Sequence, residues 1–203
     1  TMKMVIAAEG VSIKDVASAI SKDSIKDKAT KLFKSVSRDF NVSSPRVAIL
    51  SLNPEQFGKE ENEILIPVVD ELAEAGIQTF GPYSSEAFFG NGYYSDFDAV
   101  IAMYYDQGIP AFKAISTEGI VKFDTGLKIV SATPDCGPEF DIAGKGVADE
   151  STFRNSIYTA IDIFRNRGYY DDPMHNPLQK LYHEKHDDGD KIRFSIPKKR
   201  ENR

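Results

Sequence analysis

Two hydrophobic patterns share this chain: short unbroken apolar runs, and apolar residues spaced three or four apart. The runs fall at residues 3–8, 46–52, 77–80, 98–103, 120–123 and 127–132, with the lengths and β-branched content of strands. Asn53-Pro54 and Asp124-Thr125-Gly126 mark turns between them. Ser12 can cap a short helix reaching Ile20. Ile25, Ala29, Leu32, Phe33, Val36 and Phe40 predict a longer helix from Ser24. Residues 60–75 predict a third, apolar at Ile64, Val68, Leu72 and Ala73 and ended by Gly76. Pro67 lies inside it, so that helix either starts late or kinks there. The last, over 152–167, carries Phe153, Ile157, Ala160, Ile161 and Phe164 on one face. Alternating strands and helices predict an α/β domain, with α/β/α layers around a largely parallel sheet.

From Tyr169 the pattern changes. Pro173, Pro177 and Pro197 punctuate a charged segment with little apolar content. The expected organisation is one domain over 1–168 and an extended or partly disordered tail over 169–203. The full 203 residues suffice for one substantial domain or two small ones. Such a domain buries roughly 70% of its unfolded surface and needs no staple. Cys136 stands alone, which excludes an internal disulfide framework and fits a reducing cytosol. No apolar run approaches the ~20 residues that span a bilayer. Glu9 interrupts an opening already too short for a secretory signal. A net charge of -6 argues against nucleic acid as the main partner, and Lys198-Lys199-Arg200 reads as a solvated tail. The expected location is therefore the cytoplasm.

Chemistry concentrates where the run at 98–103 ends, in Met103-Tyr104-Tyr105-Asp106-Gln107-Gly108-Ile109-Pro110, with Lys113 shortly after. Open α/β sheets place ligand sites at the carboxyl ends of their strands. The stretch resembles the Met-Tyr-His-Asp-Gln-Gly motif of the 4-hydroxythreonine-4-phosphate dehydrogenases (PdxA-like proteins). Tyr105 stands where that family has a metal-binding histidine. The turn Leu52-Asn53-Pro54-Glu55 resembles the family's Leu-Asn-Pro-His, with Glu55 at a second ligand position. Gly10, in Glu9-Gly10-Val11-Ser12-Ile13, falls at the third. The resemblance therefore implies a metal centre whose three histidines are replaced. A glycine and a phenol do not substitute for imidazole. Glu9, Glu55 and Asp106 either hold a hard cation such as magnesium or are ordinary acidic loop residues. The second reading is preferred, because hard-ion sites need several converging oxygens.

A second segment, Thr133-Pro134-Asp135-Cys136-Gly137-Pro138-Glu139-Phe140-Asp141-Ile142-Ala143-Gly144-Lys145-Gly146, resembles a loop shared with the isopropylmalate and isocitrate dehydrogenases. There the loop wraps the adenosine part of NAD. The resemblance implies Gly137, Asp141, Ile142 and Gly144 as cofactor-binding residues, with Cys136 replacing a histidine that contacts adenine. Glycines permit close backbone approach, and Asp141 is a suitable acceptor for a ribose diol. Taken alone, Gly144-Lys145-Gly146 is equally a turn into the last helix.

Lys113 matches the family lysine that contacts the substrate phosphate or carboxylate. Lys122 sits near a substrate asparagine position and Ser131 at an arginine position, so the planar anion clamp is lost. Asp106 and Lys113 are the residues the resemblance implies for catalysis, and Lys113 and Lys122 those for substrate. His175, His183 and His186 lie in the tail without zincin spacing.

The resemblance covers residues 3–167 and corresponds to the second half of a family member, of isopropylmalate dehydrogenase-like fold. It implies an NAD-dependent oxidation and decarboxylation on the pyridoxal 5'-phosphate pathway, in a homodimer whose active site lies between two domains. Two expectations follow. One is a diverged or partial dehydrogenase with weak or no activity by itself, lacking an N-terminal domain. The other is a non-catalytic relative binding a nucleotide or phosphorylated metabolite.

Overall fold

A computed structural model gives the structure of residues 2–55, 58–117 and 119–177. Four parallel strands form its centre: β1 (Lys3–Ala8), β2 (Val47–Leu50), β3 (Thr79–Tyr83) and β4 (Ala99–Tyr104), in the order β1-β4-β2-β3. The fourth strand in sequence thus lies in the interior, paired with β1 from Lys3↔Ala99 to Ala8↔Tyr104 and with β2 from Val47↔Ala99 to Ile49↔Ile101. All of β2 is buried, as is β4 through Met103. Strands covered on both faces have no polar side to present, which is why they read as unbroken apolar runs.

One face of the sheet is covered by α1 (Val16–Ala19), α2 (Lys22–Asp39) and α3 (Ile66–Glu74). Ile25, Leu32, Val36, Val68 and Leu72 meet Ile49, Ile101 and Met103 there. On the other face Ala48, Leu50, Val100 and Ala102 pack with Phe88, Met4, Ile6 and Phe97. Helix α4 (Tyr105–Ile115) follows β4 directly. The α/β/α layering is as expected.

Helix α2 begins earlier than the apolar pattern indicated, because Ser21 accepts from the Ser24 N–H and caps it. A wide π turn over Glu61–Leu65 runs directly into α3, its Ile66 N–H bonded to the Glu61 carbonyl, and Pro67 falls in the first turn of that helix. Residues 84–97, which carried no predicted element, contain a π turn (Glu86–Gly90) and a 3-10 turn (Tyr93–Asp96) around the fully buried Phe88.

Two expectations fail in the last third. The run at 127–132 is not a strand. β5 (Val121–Phe123) pairs antiparallel with β6 (Ala132–Pro134), and most of the apolar run lies in their connection. The final helix, α5 (Ser151–His175), continues beyond Gly168 into the expected tail. Its extension has a partner: Arg38 of α2 donates from Nε to Asp171 Oδ1 at 2.9 Å. Asn166 likewise donates to the Asp39 carbonyl at 2.9 Å. His183, His186 and Lys198-Lys199-Arg200 lie outside the described residues. Among the described residues no helix is long and apolar enough to cross a membrane.

The apolar face predicted for the last helix does not enter the core. The buried residues of α5 are Ser156, Ile163 and Arg167. Phe153, Ile157, Ile161 and Phe164 are exposed.

Candidate anion and dinucleotide site

Parallel strands end on a common edge, and the expected site residues gather there. Glu9 and Gly10 follow β1, Asn53 to Glu55 follow β2, and Tyr105 and Asp106 open α4 after β4. Because β4 lies between β1 and β2, the Tyr105 loop sits between the other two.

Gln107 fixes the spacing of this edge. Its Oε1 accepts from the Met103 N–H and its Nε2 donates to the Ser51 carbonyl, each at 2.6 Å. One side chain thereby ties the ends of β4 and β2. Gly108, next in sequence, brings α4 against the sheet. A Cβ there would stand 2.7 Å from Met4 Sδ and 2.8 Å from Ala102 Cβ. Both residues of the Gln-Gly pair therefore have structural work at the site.

After β2, Glu61 is fully buried and holds the turn. Its Oε1 accepts from the Asn53 N–H at 2.7 Å, and its Oε2 from Asn53 Nδ2 at 2.9 Å. Burial pushes this carboxyl upward, but the hydrogen bonds from Asn53 outweigh it and leave it below the usual range. An open depression beside the turn is lined by Asn53, Pro54, Glu55 and Gly58. Nothing in the sequence distinguished Glu61 from the other acidic residues at the start of that helix.

The strongest convergence joins three elements. Lys113 of α4 lies 2.8 Å from Asp135 Oδ2, and Lys122 of β5 lies 2.7 Å from Oδ1. Asp135 is half-buried just after β6, its N–H bonded to the Ile120 carbonyl at 2.8 Å. The hydrogen bonds from Lys113 and Lys122 hold its carboxyl below the ordinary range. The same contacts raise both ammonium groups above theirs. Tyr105 lies within electrostatic reach of both lysines and Glu9 within reach of Lys122. The structure thus unites the two lysines expected to contact substrate and adds Asp135, which the sequence reading did not single out. Only the tertiary meeting of α4, β5 and β6 reveals it.

The segment after Asp135 is open. Cys136 is exposed, and a 3-10 turn at Phe140–Ile142 carries Asp141 and Ile142, with the Lys145 N–H bonded to the Ile142 carbonyl at 3.1 Å. Gly144 has φ +77°, which a side chain would strain, while a Cβ at Gly137 would meet nothing within 4 Å. Gly137 is therefore not demanded by packing within the described chain.

Comparison with known proteins decides the lineage. The family model described as "Pyridoxal phosphate biosynthetic protein PdxA" matches residues 1–160. The chain belongs to the PdxA family. It is 41% identical over 197 residues to the 4-hydroxythreonine-4-phosphate dehydrogenase of Bacteroides thetaiotaomicron, covering 95% of this chain and 54% of that protein. It is 38% identical over 143 residues to that of Prosthecochloris aestuarii, covering 68% and 42%. The crystal structure of the Klebsiella pneumoniae 4-hydroxythreonine-4-phosphate dehydrogenase superposes with a TM-score of 0.68 at 26% identity, covering 79% of this chain and 50% of that one. The chain spans about half the length of the curated relatives it matches.

Seen as a PdxA protein, the chain carries no imidazole at the three positions where the family resemblance implies metal ligands. Gly10 offers no side chain, and Tyr105 and Glu55 stand at the other two positions. Among the described residues no three His, Cys, Asp or Glu side chains converge to hold an ion, so Glu9, Glu55 and Asp106 do not form a joint cage.

Proposed function

We propose that this chain supplies the anion- and dinucleotide-binding part of an NAD-dependent 4-hydroxythreonine-4-phosphate dehydrogenase of vitamin B6 biosynthesis, working in the cytoplasm as a homodimer, and that alone it turns over substrate weakly or not at all. The observation that carries this reading is the meeting of Lys113 and Lys122 at the carboxyl edge of β4, within an otherwise apolar α/β frame. Two ammonium groups held together suit a phosphate or carboxylate. Bound NAD would supply the hydride acceptor for oxidation of the substrate hydroxyl. For that cofactor the chain offers Asp141 as an acceptor for ribose hydroxyls, with Ile142, Gly137 and Gly144 shaping the loop around it. Lys113 and Lys122 orient the anionic end of the substrate. Asp106, exposed in the first turn of α4, is the candidate acceptor for its hydroxyl proton.

A second reading is a non-catalytic relative that binds a nucleotide or phosphorylated metabolite. It is favoured by the absence, among the described residues, of converging metal ligands. Two measurements separate the readings. Calorimetry with NAD and with inorganic phosphate reports binding, and NADH formation from 4-phosphohydroxythreonine reports turnover. Binding with turnover, however weak, supports the first reading, and binding with no turnover, alone or mixed with the part of the B. thetaiotaomicron dehydrogenase that the chain does not match, supports the second. A folded chain that binds neither ligand excludes both.

A further inference from the structure

Asp135 joins the two halves of the candidate site. Its carboxylate spans Lys113 and Lys122, and its peptide is the last link before residues 136–150, which hold Gly137, Asp141, Ile142 and Gly144. The Asp135 side chain is only 14% exposed, while those of Lys113 and Lys122 remain 49% and 66% exposed. An anion from solution therefore has access to both ammonium groups, and each has N–H donors left over from its bond to Asp135.

Beyond Asp135 the chain has little to hold its shape. Residues 136–150 are exposed apart from the half-buried Ile142. Their backbone bonds among the described residues are local, such as Ile142 N–H to the Glu139 carbonyl and Ala143 N–H to that of Phe140. A Cβ added at Gly137, Gly144 or Gly146 would meet nothing within 4 Å. Glu139 takes φ +46°, in the left-handed region that favours glycine. A loop with few contacts and one strained residue keeps its form through its ends. At the far end the Ser151 N–H bonds Asp149 Oδ1 at 2.9 Å. At the near end Asp135 is held twice, by its N–H to the Ile120 carbonyl and by its carboxylate to α4 and β5.

We propose that Asp135 is a latch between the anion site and the 136–150 loop. Without ligand it occupies both ammonium groups and pins the loop entry to α4 and β5. A phosphate group taken by Lys113 and Lys122 displaces it and frees the loop to rearrange around a dinucleotide, so the anion binds first. Phosphate binds only the open latch, and its apparent affinity is lowered by the fraction of chains that are closed. The latch rests on the reading of the two lysines as an anion site. Its test uses inorganic phosphate and the amides of the loop, with neither NAD nor turnover, so the dehydrogenase reading and the latch fail separately.

Calorimetry with inorganic phosphate at pH 7 and constant ionic strength compares the parent chain with D135N, which keeps the side-chain size and removes its charge. D135N should bind phosphate roughly tenfold more tightly, because its latch no longer closes. K113A in the D135N background should lose that gain. In the parent, saturating phosphate should lower the heteronuclear nuclear Overhauser effects of the amides at 136–146, the sign of faster motion. Those of D135N should be low already and change little. The phosphate response of the parent needs no variant, so the latch stays testable should D135N misfold. Three results overturn it: phosphate binding by D135N no tighter than by the parent or absent from both, a gain that survives K113A, or loop amides in the parent indifferent to bound phosphate.

Discussion

Arg167 and Asp39, 128 residues apart in sequence, form a buried ion pair with Nε–Oδ1 at 2.7 Å. Asp39 also accepts from the Ser35 hydroxyl at 2.6 Å, and the guanidinium caps two carbonyls of the β5–β6 connection. One side chain thus links α5, α2 and residues 124–131. Removing one partner strands the other charge in a dry site, so Arg167→Ala should cost about 3–5 kcal/mol. Chemical denaturation measures it. A loss below about 1 kcal/mol would show that water reaches the pair.

Gly108→Ala tests the close approach of α4 to the sheet. Alanine favours a helix by about 1 kcal/mol over glycine, but the added methyl meets Ala102 Cβ at 2.8 Å and Met4 Sδ at 2.7 Å. The methionine can turn away, whereas a strand alanine cannot. A net destabilisation of about 1–3 kcal/mol is expected from overpacking. A stabilised variant would mean that α4 shifts freely, and thermal unfolding distinguishes the two.

Gln107→Ala removes the brace between β2 and β4. It leaves the Met103 N–H and the Ser51 carbonyl, both in buried residues, without this partner. A loss of about 1–3 kcal/mol is expected, with faster amide exchange at Met103. Unchanged exchange there would argue against the brace.

The pH dependence of Asp135 has a definite sign. Its carboxyl is held low by Lys113 and Lys122. The contribution of the bridge is complete above the unfolded aspartate value of about 3.9, and is lost as pH falls through the lower folded value. Carbon-detected titration should find Asp135 still largely ionised at the pH where an unfolded aspartate is half protonated, about 3.9. K113A and K122A should each move it back towards the ordinary range. An unshifted titration in the parent chain would mean that the lysines do not hold it.

Much of the fold was legible because burial on two sides leaves a plain signature: β2 and β4 are apolar runs, and the periodicity of α2 places Ile25, Leu32 and Val36 inward. Where local pattern and tertiary partner disagreed, the partner won. Helix α5 outlasts Gly168 because Arg38 meets Asp171, and β6 lies at Ala132–Pro134 because that segment pairs with β5. Around Phe88, aromatic residues without period hid an irregular turn. The candidate site divides similarly. Lys113 and Lys122 were found through likeness to a family motif, while Asp135 and Glu61 owe their roles to contacts between distant segments.

The Lys113–Asp135–Lys122 bridge has a consequence for ligand choice. The two ammonium groups already hold a counter-ion of their own, carried by the chain at a fixed effective concentration. An incoming carboxylate merely swaps one monoanion for another and gains little, whereas a phosphate near pH 7 brings a charge of about -1.5 to -2. Under the proposed reading the internal aspartate is a threshold for any anion that these lysines take, and a phosphomonoester meets it with more charge than a simple acid.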